Sequence, residues 1–113
     1  MARILYEQAA QQGYAWAMCR LGLMYDKGEG VEQSDDKAFE YFEQAADLGL
    51  SAAQFDLGLM YAIGQGVVKD ETKAKKWWTK AAAQGDDSAV ENLKILERNM
   101  KKNRTKNATK NTK

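Results

Sequence analysis

Leu57-Gly58-Leu59-Met60-Tyr61-Ala62-Ile63-Gly64-Gln65-Gly66-Val67 follows Leu21-Gly22-Leu23-Met24-Tyr25-Asp26-Lys27-Gly28-Glu29-Gly30-Val31 at a constant offset of 36 residues (57 − 21). A fixed period of this size marks an array of stacked supersecondary units in place of one globular core. Set over 51–86, residues 15–50 are identical at 14 of 36 positions, where average composition gives about two or three by chance. The duplication is secure, and the local structure can be read from either copy.

Within the unit Ala53, Leu57 and Tyr61 recur at four-residue spacing and predict a helix with one apolar face. Ser51, with Gln54 three residues on, reads as a capping box at its start. Gly64 is expected to supply a left-handed cap, after which Gly66-Val67 carries the chain through a tight connection. Ser34-Asp35-Asp36 and Asp70-Glu71 open a second helix, each offering an N-cap oxygen followed by acidic residues at the positive end of the helix dipole. That helix stops at Gly49 and Gly85. Each unit is therefore expected to be a helix hairpin. The fold class follows as all-α, an α/α superhelix of antiparallel helix hairpins with about five helices and a period of 36.

Gly22 and Gly58 stand inside helices, where glycine costs about 1 kcal/mol relative to alanine. Their absent side chains are expected to let the second helix approach closely, with Ala45-Ala46 and Ala81-Ala82 as the matching small surface. The pairs Tyr41-Phe42 and Trp77-Trp78 are then expected to fill wider gaps between units.

The ends depart from the period. Residues 1–14 align with 37–50, through Ala2/Ala38, Tyr6/Phe42, Ala9-Ala10/Ala45-Ala46 and Gly13/Gly49, so the chain begins inside a unit. This leaves a flank carrying Ile4 and Leu5 without its hairpin partner, which points either to a longer array or to self-association through the truncated N-terminal repeat. At the other end Asp87 is expected to cap a helix in which Ala89 and Leu93 match Ala53 and Leu57, with Lys94 in place of the glycine. The expected organisation is a partial repeat at 1–14, repeats at 15–50 and 51–86, a capping helix at 87–100 and a disordered basic tail at 101–113.

Composition excludes several functions. Histidine is absent and Cys19 is the single cysteine, which removes Cys/His zinc sites, His-based acid or base catalysis and an internal disulfide. With no histidine partner, Cys19 reads as a small buried or half-buried hydrophobe before it reads as a reactive free thiol. No run reaches membrane-spanning length, and residues 1–8 do not form a secretory signal, so the chain as written is expected in the cytoplasm. The net charge of +1 conceals a division: six of the 17 basic residues lie in 101–113, leaving 11 against 16 acidic residues in the rest, a net of −5. The tail lacks aromatics to stack on bases, so weak, salt-sensitive contacts are expected there in place of nucleic-acid recognition. Asp56 or Asp26 could in principle serve acid/base chemistry, but no motif places a second group beside either.

The unit Ala-x-x-x-Leu-Gly-x-x-Tyr-x-x-Gly-x-Gly-Val, then Asp, Lys-Ala, an aromatic pair, Ala-Ala and Gly, resembles the Sel1-like repeat, a relative of the tetratricopeptide repeat. Residues 53–85 match almost throughout; 17–49 depart at Ser34 for Asp and Phe42 for Trp or Tyr. The resemblance implies a right-handed superhelix serving as an adaptor or scaffold for protein complexes, often in bacterial signalling or host contact. The residues themselves add the expectation of a non-catalytic chain with no cofactor, metal or membrane. Some cysteine-rich members of the family are described as binding or hydrolysing β-lactams; the paired cysteines of that branch are absent here. In tetratricopeptide relatives the first helices line the concave surface. Carried over by alignment, the partner-binding candidates are Trp16, Cys19, Leu23, Asp26 and Lys27, then Ala52, Phe55, Leu59, Ala62 and Ile63, then Ser88, Glu91, Ile95 and Arg98. Three- and four-residue spacing puts each set on one helical stripe, about half a turn from the signature residues. The helix at 51–63 is thus apolar on both faces, and Phe55, Leu59 and Ile63 either pack against neighbouring first helices or floor a peptide groove.

Overall fold

The computed structural model describes residues 2–111, and their side chains as far as Lys102. Six helices follow in order: α1 (Ala2–Gln11), α2 (Ala15–Lys27), α3 (Asp35–Asp47), α4 (Ser51–Ile63), α5 (Glu71–Ala83) and α6 (Asp87–Asn111). The count among the described residues is six, the number that a half-repeat, two hairpins and a capping helix give, against the expected figure of about five. Each helix packs against the next in sequence, so α2 with α3 and α4 with α5 form hairpins, and α1 and α6 stand at the two ends as half-hairpins. The outcome is an elongated α/α stack measuring 61 × 29 × 17 Å.

The N-caps explain where the second helices begin. Ser34 Oγ accepts from the Lys37 amide at 3.2 Å, and Asp70 Oδ1 accepts from the Lys73 amide at 3.0 Å. Helices α2 and α4 lack such a cap: Tyr14 and Leu50, both extended, precede them, and no Ser51–Gln54 box forms. Gln54 instead is buried and donates through Nε2 to the Ala46 carbonyl at 3.2 Å, while its Oε1 accepts from Gln84 Nε2 at 3.0 Å. The start of α4 is therefore fixed by a bridge to the C-terminal ends of α3 and α5. At α6 the capping side chain is Asp86, whose Oδ1 accepts from the Ala89 amide at 3.0 Å, and Asp87 is the first helical residue. Gly64 closes α4 in the left-handed region (φ 74°), with its amide on the Met60 carbonyl at 2.8 Å.

Two adjoining clusters form the core. Met18, Ala38, Phe42, Ala45, Ala53 and Leu57 belong to one; Ala74, Trp78, Ala81, Ala89 and Leu96 belong to the other. The helical glycines serve the aromatics and not the alanine pairs. A Cβ on Gly22 would stand 2.6 Å from Phe42 Cε1, and one on Gly58 would collide in the same way with the Trp78 indole. Phe42 and Trp78 thus pack inside their own hairpins, and the expectation that they fill gaps between units is corrected. The reason is size: a flat ring laid across a helix needs the one residue without a side chain beneath it.

α6 continues to Asn111, past the end near residue 100 expected for the capping helix. Nothing in 101–111 breaks a helix: glycine and proline are absent, and Lys, Arg and Ala have good helix propensity. Residues 112–113 of the expected disordered tail, and the side chains of 103–111, lie outside the described residues. Among the described residues no helix is long and apolar enough to cross a membrane.

Candidate interaction face

The candidate residues come from the first helices α2, α4 and α6, which lie side by side because each returns to the same place after one hairpin. Direct bonds tie α2 to the α4 side. Cys19 Sγ donates to Asp56 Oδ2 at 4.0 Å, and Gln65, in the turn after α4, reaches back to Asp26 at the end of α2. The same Gln65 Nε2 donates to Asp35 Oδ1 at 3.0 Å, and Gln33 Nε2 donates to that oxygen at 2.6 Å. Sequence reasoning missed Gln65. Its place between Gly64 and Gly66 marked a turn, but nothing in the pattern showed what the turn rests on.

Exposure sorts the candidates. Ile63 is 66% exposed, Trp16 55% and Ile95 49%, while Lys27, Ala52, Ser88, Glu91 and Arg98 are also exposed. Leu23, Asp26, Phe55, Leu59 and Ala62 are half-buried. Cys19 is buried, so it offers nothing to a partner and belongs to the core, as a small apolar side chain does. Phe55 is split between roles: its ring lies 6.3 Å from that of Trp78, and its carbonyl accepts the Trp78 indole N–H at 3.0 Å. At the α2 end Trp16 stacks on Tyr14 at 6.2 Å and meets Tyr6 edge-on at 6.1 Å, a partly exposed aromatic corner.

Electrostatics single out Asp56. Burial pushes its carboxyl up to about 6, helped by the charges of Asp26 and Asp86 and opposed by Lys27. Burial also pushes the Cys19 thiol up to about 11, with Asp56 adding to the rise and Arg20 opposing it. A thiol so placed is protonated at neutral pH and is not a nucleophile. Among the described residues no group of three or more His, Cys, Asp or Glu could hold a metal ion.

Between α4 and α6 the face opens into a groove of about 540 Å³, lined by Leu59, Ala62 and Ile63 from α4, by Trp78 behind, and by Asn92, Ile95, Leu96, Asn99 and Lys102 from α6. Lys69, just before the N-cap of α5, and Glu71, its first residue, also line it. Phe55 is not among the lining residues, so the groove lies nearer the C-terminal ends of both helices than the sequence pattern indicated.

Repeated antiparallel hairpins stacked in one direction, with the first helices side by side, define an α/α solenoid of the tetratricopeptide-like class. Within that class the Sel1 repeat model matches residues 1–14, 17–50 and 51–86, and the chain belongs to the Sel1 repeat family. Among solved structures it is similar to a Sel1 repeat protein from Oxalobacter formigenes, with 41% identity and a TM-score of 0.78 over 80% of this chain and 68% of that one. It is also similar to c5321, a protective antigen present in uropathogenic Escherichia coli strains and displaying an SLR fold. That match has 35% identity and a TM-score of 0.82 over 87% of this chain but 21% of the antigen. Helicobacter pylori cysteine rich protein B gives 28% identity and a TM-score of 0.77 over 80% of this chain and 68% of that one. No curated protein matches the chain. The Sel1 repeat fold is typically that of a protein-interaction scaffold.

Proposed function

We propose that this chain is a non-catalytic scaffold that takes a peptide or protein segment along the row of first helices, the concave face of its superhelix. The observation that carries the reading is the exposure of Ile63 and Ile95 on the stripe opposite the buried Ala53 and Leu57. Apolar side chains left in water on a face that already has a packed back are recognition surface by ordinary burial energetics. The Cys19 thiol is buried and its pKa is pushed up to about 11, which favours binding over nucleophilic catalysis, the β-lactam chemistry of cysteine-rich relatives included.

Ile63→Asp is the sharp test, because Ile63 is 66% exposed, whereas Phe55→Asp also removes the ring that packs beside Trp78. Peptides selected against the wild type from a display library are expected to bind Ile63→Asp at least about tenfold more weakly. Selected peptides indifferent to both Ile63→Asp and Phe55→Asp would refute the face. A second reading concerns α1, where Ile4 is 52% and Leu5 61% exposed. We propose that a second copy covers them; Leu5→Glu should then abolish any rise of mass with concentration in light scattering, and a wild type of constant mass refutes the contact.

A further inference from the structure

The groove between α4 and α6 has an internal precedent one period earlier. There Asp26, Gln33 and Asp35 form a socket, and the turn of the following unit fills it: Gln65 bonds to Asp26 and Asp35, and Gly66 lies so close to Asp35 that a Cβ would stand 2.9 Å from the Asp35 Cβ. Thirty-six residues on, the same positions are Ala62, Lys69 and Glu71, and all three line the groove. The segment that would supply the next turn is still helix, since α6 runs through 101 and 102 without a glycine. The second socket is therefore open where the first is filled.

Its chemistry has also changed. Ala62 in place of Asp26 removes an acceptor, and Lys69 in place of Gln33 adds a cation. Lys102 brings a second cation against one carboxylate, that of Glu71, which lies 4.0 Å from Lys69. The centre of the row carries the opposite sign, with Asp26 and Asp86 near Asp56. Leu59, Ile63 and Ile95 supply apolar walls, and Asn92 and Asn99 line the same side of α6. Seven residues of helix separate those two amides by about 10.5 Å along the axis, close to three residues of extended chain. An asparagine amide both donates and accepts, which suits a peptide main chain.

We infer that this open socket binds an extended peptide of a partner protein, in which apolar side chains seat among Leu59, Ile63 and Ile95 and an adjacent acidic side chain meets Lys69 and Lys102. The inference rests on the scaffold reading above and adds the sign and place of recognition.

The test uses labelled synthetic peptides alternating Leu with Glu, Gln or Lys, followed by fluorescence anisotropy on the full chain. The Leu/Glu peptide should bind at least about tenfold more tightly than Leu/Lys. Combined Lys69→Glu and Lys102→Glu should reverse that order, and Ile95→Asp should weaken the Leu/Glu peptide by a similar factor. Equal binding of the Glu and Lys peptides, an order unchanged by charge reversal, or no binding of any peptide overturns the inference. Binding lost in Ala52→Glu, on the exposed part of α4 away from the groove, but indifferent to Ile95→Asp and the charge reversal overturns it too, while the wider scaffold reading stands. The substituted lysines and Ile95 are exposed, and circular dichroism of each variant confirms that it folds.

Discussion

A methyl group at Gly58 would collide with the Trp78 indole, and this contact inverts the usual ranking of residues in a helix. In an open helix Gly→Ala gains about 1 kcal/mol; here overpacking outweighs it. Gly58→Ala is expected to lower stability by about 2 kcal/mol, measured by urea denaturation. Trp78→Phe should cost about 1 kcal/mol by the same measurement, since it removes the indole donor from the Phe55 carbonyl and leaves most of the ring. Phe42 shows that the ring is the packing requirement and the N–H an addition, for it fills the same position over Gly22 without a donor. Asp56 contributes a pH dependence. Its folded pKa of about 6 lies above the ordinary 3.8, so its favourable contribution is complete below 3.8 and is lost as pH rises through 6. Asp56→Asn should remove that fall and be more stable than the wild type by about 1–2 kcal/mol at pH 8, seen as Tm against pH.

At the scale of elements, much was legible. Ser34 and Asp70 cap α3 and α5 as their types dictate, and Gly64 ends α4 in the left-handed region, because caps are decided by neighbours in sequence. The start of α4 was misread for the opposite reason: Gln54 is spent on Ala46 and Gln84, partners in other helices that no local pattern contains. The turn after α4 is the same kind of case. Gln65 ties it to Asp26 and Asp35, and Gln65→Ala is expected to cost about 1–2 kcal/mol by leaving two part-buried carboxylates short of a donor. In a Trp16→Phe background, whose remaining Trp77 and Trp78 report on the second unit, chemical denaturation followed by fluorescence and by far-ultraviolet circular dichroism should then separate into two transitions where the same background with Gln65 intact shows one.

For the whole molecule, contact runs from each helix to the next in sequence, so stability is a sum of neighbouring interfaces and weakens toward both ends. Amide hydrogen exchange should be slowest in α3 and α4, which lie in the middle of the stack and furthest from both ends, and fastest in α1. Uniform protection across the helices would contradict this account.

By itself the sequence determined the period, the hairpin, the glycine and aromatic positions and the apolar double face of α4, since each is written in spacings within one unit. It also placed the candidate stripe on the first helices. Only the tertiary structure decided between Cys19 as the small buried hydrophobe and Cys19 as a partner-binding candidate, showed that Phe42 and Trp78 lie across glycines of their own hairpins, and put the open groove at Ile63 and Ile95 and not at Phe55. Spacing fixes which side of a helix a residue occupies, but the distance between two helices, and whether a turn fills the gap between them, depends on what a third element brings there.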